Sequence, residues 1–287
     1  MWDILLTVIA ILALICIWII IYDSNRFVVT HFELEDERIQ KACKAVVIAD
    51  LHNKQYGRDN ELLLRAIEEQ KPDMIFIAGD IPTARPGASL TAAIRFVGQL
   101  AEKYPVYYGN GNHEQRMKLY PETYGDMAEI YANGLAEAGV LPLVNAHVKL
   151  EEYGIAVYGA EIDRTYYKRF RVYPMDASYM ESILGKVDKS YFTVLLAHNP
   201  DYFEQYAKWG ADFVLSGHVH GGIVRIPFVK KGVAAPNISL FPKYDGGIFR
   251  EGTSTMLLSR GLGMHTIPIR LFNPGELVIV EMQPKQK

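Results

Sequence analysis

Five short apolar runs in this sequence each lead within three residues to Asp, His or Asn, and this pattern constrains the fold more than any other feature. Runs of this length, bounded by polar turns, predict strands that are buried in a sheet. Helical stretches separate several of them, an order typical of α/β proteins, in which ligands bind beyond the carboxyl ends of the strands. The runs are AVVIA at 45–49, MIFIA at 74–78, VYY at 106–108, FTVLLA at 192–197 and FVL at 213–215.

The remaining elements after residue 25 complete one domain. Two mixed sheets packed face to face, with helices outside, accommodate their order, so we predict an α/β fold, a four-layer α-β-β-α sandwich over residues 26–287. Asn60 and Ser89 are the predicted N-caps of the first two helices. The helices are predicted at 60–70, 89–103, 122–138 and 201–209, and further strands at 141–144, 148–150, 155–158, 223–226, 255–259 and 277–281.

The N-terminal segment differs from the rest because residues 4–21, ILLTVIAILALICIWIII, carry no charge. As a helix this segment spans about 27 Å, close to the hydrocarbon thickness of a bilayer. Trp2 and Tyr22 bracket it, as interfacial aromatic residues do. A cleaved signal peptide would have a basic start and a small-residue cleavage site, and a core helix would have a polar face. This segment starts with Met-Trp-Asp and has none of these features. We therefore expect an uncleaved single-pass transmembrane helix, with residues 1–25 as the anchor and residues 4–21 in the bilayer.

The charged residues bear on orientation and on partners. No Lys or Arg precedes the apolar run, whereas Arg26, Arg38, Lys41 and Lys44 follow it, and this asymmetry favours a cytoplasmic domain. The preference is weak because acidic residues surround the last three.

The whole chain has 33 acidic and 30 basic residues. This balance gives no general attraction to a phosphate backbone, so we expect no nucleic-acid partner.

Five of the eight histidines fall at the ends of the predicted strands. Asp50 and His52 are two residues apart, so in an extended chain they would project the same way and could hold one ion. The same holds for His218 and His220, whose flanking glycines allow a tight turn. The other strand-end histidines are His113 and His198, whereas His31, His147 and His265 have no such context and are interpreted as surface or core residues.

The residue types at the strand ends indicate divalent metal ions. A mixed oxygen and imidazole set suits Mn²⁺, Fe or Zn²⁺ better than Ca²⁺, and Mn²⁺ is the expected ion. Two carboxylates among otherwise neutral ligands balance only about half of the charge of two divalent ions. The occupied site would keep about two positive charges, which favours an anionic substrate. Two ions about 4 Å apart would activate a water molecule and stabilise an in-line phosphoryl displacement.

The motifs DxH, GD, GNHE, a lone His and GHVH follow one another in this order through residues 45–222. The series resembles the calcineurin-like metallophosphoesterase superfamily. The features that are similar to its bacterial membrane-associated branch, which includes relatives of the UDP-diacylglucosamine pyrophosphohydrolases, are the two glycines after GHVH, the segment SRGLG at 259–263 and the segment PIR at 268–270.

The resemblance implies roles for individual residues. His113 would contact the phosphate and protonate the leaving group. Many family members carry an aspartate three residues after the GD motif that orients this histidine, but Thr83 occupies that position here, and Glu114 is the alternative orienting group. The implied metal ligands are Asp50, His52 and His220 for one ion, Asn112, His198 and His218 for the second, and Asp80 as the bridge between them.

Three further residues are candidate substrate contacts, each with a structural alternative. Asn53 follows the first motif and could donate to a phosphate or could be a turn residue. Arg164 could bind a second phosphate through its guanidinium or form a surface ion pair. Arg260 lies in the glycine-flanked segment that the resemblance places near the site. The aromatic and basic stretch 166–173 could face lipid headgroups, cap the substrate or form a solvated loop.

These observations predict a metal-dependent hydrolase of a phosphoester or pyrophosphate bond, acting on a membrane-associated and lipid-linked substrate. Two other functions are compatible with the sequence. The protein could be a broad-specificity phosphodiesterase or a protein phosphatase that is merely tethered to the membrane. It could also be a metal-binding adaptor without catalytic activity, which the threonine at position 83 would favour.

Overall fold

Two mixed β-sheets, stacked face to face, form the middle of the computed structural model, which describes residues 1–168, 171–222, 224–226, 231–233, 242–264 and 268–285. In chain order the strands are β1 (Phe27–Asp36), β2 (Cys43–Ile48), β3 (Met74–Ala78), β4 (Val106–Gly109), β5 (Ala146–Leu150), β6 (Ile155–Ala160), β7 (Phe192–Ala197), β8 (Phe213–Ser216), β9 (Arg225–Ile226), β10 (Lys231–Gly232), β11 (Gly247–Glu251), β12 (Ser254–Leu258) and β13 (Gly275–Pro284).

Helices cover the outer faces of both sheets. The first sheet has the strand order β1-β13-β2-β3-β4, and the second has the order β11-β12-β8-β7-β6-β5. Strands β9 and β10 form a separate antiparallel pair. The helices are α1 (Trp2–Ser24), α2 (Glu61–Gln70), α3 (Thr91–Ala101), α4 (Asn112–Leu119), α5 (Pro121–Tyr124), α6 (Met127–Glu137), α7 (Tyr179–Leu184) and α8 (Phe203–Trp209).

The alternation of side chains along each strand divides the core into three apolar layers. Val47 and Phe76 point between the two sheets, whereas their neighbours Val46 and Ile77 face the helices of the first sheet. On the second sheet, Leu195 faces the helices on the opposite outer side. Because successive residues of a strand point to opposite faces, strands buried on both sides read as continuous apolar runs. The prediction of a four-layer α-β-β-α sandwich is confirmed.

Strand direction brings the ends of several strands to one side of the sandwich, which we call the carboxyl edge. Strands β2, β3 and β4 are parallel and end there, as do the parallel strands β7 and β8. Strand β13 runs antiparallel to β2, and β1 runs parallel to β13. Strand β1 therefore begins at the carboxyl edge, soon after the last residue of α1.

Helix α1 exposes its apolar side chains on every side. Ile4, Leu14 and Trp18 are 71%, 66% and 63% exposed, so the helix is not a core helix of the sandwich. Its length and composition are sufficient to cross a membrane. A helix that is apolar on all sides and not covered by protein is typical of a membrane span or a signal sequence.

Two predicted strands differ from the structure. Residues 141–144 lie outside the strands, because Pro142 has no amide hydrogen for a sheet ladder and the Leu143 amide donates instead to the Tyr108 carbonyl at 2.7 Å. The strand predicted at 223–226 begins outside the described residues, and the observed β9 covers only its last two positions. His265 also lies outside the described residues.

The predicted helix boundaries also need correction. The helix predicted at 122–138 is two helices, α5 and α6, because Gly125 has a φ of +60° and ends the first. Asn60 precedes α2 but has a φ of +64°, and its side chain accepts a hydrogen bond from the Tyr56 amide rather than capping the helix. Ser89 accepts the Thr91 amide at 3.3 Å, and α3 begins at Thr91.

Candidate metal centre

Asp and His side chains from five loops converge at the carboxyl edge of the sandwich. The loop after β2 supplies Asp50 and His52, and the loop after β3 supplies Asp80. His113 lies in the first turn of α4, which follows β4. The second sheet contributes His198 after β7, and His218 and His220 after β8. All the predicted strand-end histidines therefore lie in one cluster.

The loops that supply this cluster adopt a left-handed backbone conformation at several of its Asp and His residues. Residues with side chains rarely have positive φ, and such strain concentrates at functional sites. The extended geometry predicted for Asp50 and His52 is therefore wrong, and a tight loop makes their side chains converge. Of the eleven non-glycine residues with positive φ in the described chain, six belong to these loops, namely Asp50, His52, Asn53, Asp80, His218 and His220.

Asp50, His52 and His220 form the first potential metal site. The Nε2 atom of His220 lies 3.3 Å from Asp50 Oδ1 and 3.1 Å from His52 Nε2. His52 Nε2 lies 3.7 Å from Asp50 Oδ1. One potential ligand atom of each residue lies within 4.8 Å of the other two. All three residues are buried, so a cation bound here would be largely shielded from water.

Asp80, His198 and His218 form a second group in which the potential ligand atoms also lie within 4.8 Å of one another. His198 Nε2 lies 3.1 Å from Asp80 Oδ2. The same Asp80 oxygen lies 3.8 Å from His52 Nε2 in the first group, so Asp80 stands between the two sites. The Oδ1 atom of Asn112 is buried without a hydrogen-bond partner in the described part of the chain. An orphaned amide oxygen here fits a metal ligand.

The histidines keep the two buried carboxylates ionised. Burial opposes the charge of Asp50, but the charge and hydrogen bond of His220 and the hydrogen bond of His52 hold its pKa well below the usual value. His198 and His113 do the same for the pKa of Asp80. Although burial acts to lower it, the neighbouring carboxylates raise the pKa of His198 to about 10. A divalent cation would replace these protons, because metals and protons compete for the same lone pairs.

Backbone groups orient the potential ligands. The Nδ1 atom of His198 lies 2.7 Å from the Ala78 carbonyl oxygen, so it carries the proton and leaves Nε2 as the ligand atom. Asp50 accepts the His218 amide at 3.0 and 3.1 Å. Asp80 Oδ1 accepts the His113 amide at 2.7 Å. These contacts fix the positions of the side chains before any ion binds.

The segment 259–263 packs against the loop that carries Asp50. The Leu262 amide donates to the Ala49 carbonyl at 3.1 Å, and the Gly263 amide to the Asp50 carbonyl at 2.5 Å. A Cβ atom at Gly263 would lie 2.1 Å from the Leu51 carbonyl oxygen, and one at Gly261 would lie 2.6 Å from Asp50 Cβ. Glycine is required at these two positions because the segment lies so close to the loop after β2.

His113 is oriented by a backbone amide where many family members use an aspartate. Its Nδ1 atom accepts the Ala84 amide at 2.8 Å, so the neutral ring carries its proton on Nε2. That Nε2 atom lies 4.0 Å from Asp80 Oδ2. The donor is thus the backbone of the residue after Thr83, and no carboxylate at position 83 is needed to set the ring orientation.

Glu114, the alternative orienting group, has a different task. Its buried carboxylate accepts the amides of Asp80, Ile81 and Gly111 at 3.0–3.1 Å. The hydroxyl of Tyr108 donates to it at 2.6 Å. Burial and the charge of Asp80 raise the pKa of Glu114 to about 7. Glu114 therefore joins the loop after β3 to the loop after β4 and fixes the spacing between Asp80 and His113.

The three candidate substrate residues make different contacts around the cluster. Asn53 adjoins His52, and its Nδ2 atom donates to the Ser89 carbonyl at 3.2 Å. The Arg164 guanidinium lies 5.8 Å from the centre of the Tyr167 ring. Arg260 is paired with Glu276 at 3.0 Å and is largely buried. Their roles as substrate contacts stay predictions.

Tyr167 is a residue of the site that the sequence reasoning did not single out. Its ring centroid lies 5.4 Å from that of His218 and 6.4 Å from that of His198. The aromatic and basic stretch 166–173 contains it, but only the fold shows which ring reaches the cluster. Burial raises the pKa of Tyr167 well above its usual value, so the hydroxyl stays protonated. Tyr167 connects Arg164 to the second metal group.

Replacing Tyr108 by Phe tests the network around Glu114. We expect Tyr108→Phe to lower the free energy of unfolding by about 1–3 kcal/mol, because it removes a buried hydrogen bond to a carboxyl group. Tyr107→Phe is the matched control, since Tyr107 is half-buried on the other face of β4, and it should stay within about 0.5 kcal/mol of the wild type. Urea denaturation followed by circular dichroism, with chelator present, measures both. Equal stabilities for the two variants would contradict the role of the network.

Comparison with known proteins gives the family. A calcineurin-like phosphoesterase model matches residues 43–222. An uncharacterized metallophosphoesterase of Campylobacter jejuni is 28% identical over 263 residues, which is 90% of this chain and 64% of that protein. YkuE of Bacillus subtilis, also an uncharacterized metallophosphoesterase, is 24% identical, with 84% of this chain and 79% of that protein covered.

A third relative carries a membrane description. The transmembrane protein with metallophosphoesterase domain of Bos taurus is 26% identical, with 89% of this chain and 57% of that protein covered. This chain thus spans about three-fifths of the Campylobacter and bovine proteins. The solved structure of the Thermus thermophilus protein TT1561 has a TM-score of 0.46 at 13% identity, covering 76% of this chain and 89% of that one. Because the family model covers more than half of the 287 residues, this chain belongs to the calcineurin-like phosphoesterase family.

Proposed function

We propose that this protein is a metal-dependent phosphoesterase that hydrolyses a phosphoester or pyrophosphate bond of a membrane-associated, lipid-linked substrate. The observation that carries the proposal is the convergence of two buried carboxylates and their neighbouring imidazoles in adjoining groups. Family membership supports the reaction class. The nearer likeness to UDP-diacylglucosamine pyrophosphohydrolases stays a prediction.

The residues fit two divalent ions, with Mn²⁺ expected and Fe or Zn²⁺ as alternatives. When bound, such ions supply Lewis-acid activation of water and charge neutralisation at the phosphoryl group. Asp80, which lies between the two groups, is the proposed bridge. The proposed ligand sets are Asp50, His52 and His220 for one ion, and Asn112, His198 and His218 for the other.

His113 is the proposed general acid. Its ring carries the proton on Nε2 because Nδ1 accepts the Ala84 amide. Nε2 lies at the edge of the cluster, 4.0 Å from Asp80, where it can donate to a phosphoryl or leaving-group oxygen. Asn53, Arg164 and Arg260 are the proposed substrate contacts, and all three carry hydrogen-bond donors that suit phosphate oxygens.

Helix α1 is the proposed single-pass anchor, with residues 26–287 as the catalytic domain, weakly favoured to lie in the cytoplasm. Asp23 and Ser24, at the end of the helix, are buried. Asp23 accepts the Asn273 amide at 3.1 Å and the Arg26 guanidinium at 2.9 Å. A cleaved signal peptide would take these contacts away from the domain, so they favour an uncleaved helix.

Asp80→Asn, in the full-length protein in detergent, tests the metal proposal. We expect the bound metal to fall and kcat/KM on an aryl phosphoester to drop more than about 100-fold, since even partners outside the ligand set cost about 10–100-fold. Mass spectrometric metal analysis and a chelation series with Mn²⁺ restored provide the measurement. The control is Asp126→Asn, at an exposed aspartate. Unchanged metal content and turnover would remove Asp80 from the site, and bound metal without turnover in the wild type would instead indicate an adaptor.

His113→Ala tests the general acid separately from the metal site. Metal content should stay at the wild-type level, while kcat on an alkyl phosphoester falls by about 10²–10⁴-fold. The loss on a nitrophenyl ester should be at least about tenfold smaller, because that leaving group departs without a proton. His31→Ala, at an exposed position in β1, is the control. An equal loss on both esters would mean that His113 binds the phosphate without supplying the proton.

Retention of the N-terminal helix is tested on the protein made in cells. We expect the intact mass of the purified full-length protein to include residues 4–21 and the protein to resist extraction from membranes at alkaline pH, because a span of this length inserts stably. A peripheral protein of known behaviour is the extraction control. A mature N-terminus between residues 22 and 30 would show a signal sequence.

A further inference from the structure

Helix α1 enters the domain on the side that carries the metal centre. Strand β1 begins at the carboxyl edge, because it runs parallel to β13 and therefore opposite to β2. The register places Phe27 beside Gly275 at the start of β13. The Gly275 amide donates to the Arg26 carbonyl at 3.2 Å, which extends the pairing to the residue before β1. The end of the apolar helix is therefore fixed at this edge by the sheet itself.

A chain of hydrogen bonds joins the end of α1 to the loop that carries His220. Asp23 Oδ2 accepts the Asn273 amide at 3.1 Å. The Asn273 side-chain amide donates to the His220 carbonyl at 2.8 Å and to the Gly222 carbonyl at 2.5 Å. Both Asp23 and Asn273 are buried. Asn273 thus links the last turn of the helix directly to the loop of a proposed metal ligand.

The loop after β2 also contacts the end of the helix. Lys54, four positions after Asp50, donates to Asn25 Oδ1 at 3.2 Å. Arg26 lies over the Tyr22 ring, with its guanidinium carbon 4.6 Å from the ring centre. Both cations are partly exposed. Basic residues and an aromatic ring at the end of an apolar helix are typical of the level of the lipid headgroups.

Phe272 extends this surface with an exposed aromatic ring. It precedes Asn273, whose amide is bound to Asp23, and it is 39% exposed. Its φ of +55° is strained for a residue with a side chain. An exposed large apolar side chain next to the end of a membrane helix has a favourable environment at the bilayer interface.

We propose that the carboxyl edge faces the bilayer, and that Arg26, Lys54 and Phe272 contact the headgroup layer of the membrane that α1 spans. The inference rests on the proposed role of α1 as an anchor. The partner is the anionic lipid surface, which matches the Lys54 cation by charge and the Phe272 ring by interfacial partitioning. The Arg26 guanidinium is paired with Asp23 at 2.9 Å and is partly exposed, so it contributes hydrogen-bond donors more than net charge. The metal centre then opens at headgroup depth and not toward the bulk solvent on the far side of the domain.

Site-directed fluorescence on the full-length protein tests this orientation. Cys16 and Cys43 are first replaced by Ser, and NBD is attached at Phe272→Cys, Lys54→Cys or Glu37→Cys in vesicles of phosphatidylcholine and phosphatidylglycerol. Glu37 is the matched control, because it is exposed and follows the far end of β1, about 33 Å from the end of α1. We expect the two edge labels to be quenched by a headgroup nitroxide lipid and to show iodide quenching at least about threefold weaker than at position 37, because interfacial groups are shielded from the aqueous quencher.

A linker variant separates shielding by lipid from shielding by protein. Inserting a Gly-Ser segment between Asn25 and Arg26 lets the domain rotate away from the bilayer, so the Phe272→Cys label should gain iodide quenching while the Glu37→Cys label does not change. The orientation is overturned if all three labels respond alike, or if the linker leaves the Phe272→Cys label unchanged. Circular dichroism shows that each labelled protein is folded. Chelator-sensitive turnover of a soluble aryl phosphoester, measured in parallel, reports separately on the proposed function.

Discussion

Two buried carboxylates at one edge of the sandwich impose the constraint on which the rest of the site depends. Asp50 and Asp80 are at most 1% exposed, and moving a carboxylate out of water costs several kcal/mol unless opposite charge compensates. The surrounding imidazoles supply part of that compensation, and in return the carboxylates raise the pKa of His198 to about 10. Divalent ions would supply more charge in the same space. The loop geometry follows from the need to bring cationic groups to these two carboxylates.

Holding the carboxylates in place requires features that have no direct contact with substrate. Left-handed backbone at Asp50 and Asp80 turns each side chain toward the cluster immediately after its strand. Gly261 and Gly263 allow the segment after β12 to lie against the first loop without a Cβ atom in the way. The Glu114 carboxylate accepts two backbone amides of the loop after β3 and one of the loop after β4. The motif residues therefore divide into groups that face the cluster and groups that hold the loops.

The sequence predicts the strand ends well because burial on both sheet faces leaves continuous apolar runs, and the polar residue after each run stands out. The sequence is less informative about side chains whose hydrogen-bond partner is a backbone group. The backbone amide of Ala84 orients His113, and a backbone donor cannot be recognised from residue types. From the sequence alone, the absence of a carboxylate at Thr83 therefore suggests Glu114 as the orienting group. Residues 141–144 are apolar enough for a strand, but Pro142 prevents the ladder. Strand β1 is absent from the predicted strands because, from His31 onward, one of its faces is exposed, which leaves polar residues in alternate positions.

The direction of β1 places the end of the apolar helix α1 beside the candidate metal centre. A sheet in which β1 ran parallel to β2 would place the end of α1 on the side of the domain away from the metal centre, about 33 Å from it. Because β13 intervenes and reverses the direction, the helix ends beside Asn273, which is bound to the His220 loop. The proposed lipid-linked substrate would carry its phosphate at a fixed depth, and the fold holds the loops of the candidate metal centre at the end of the helix that is proposed to set that depth.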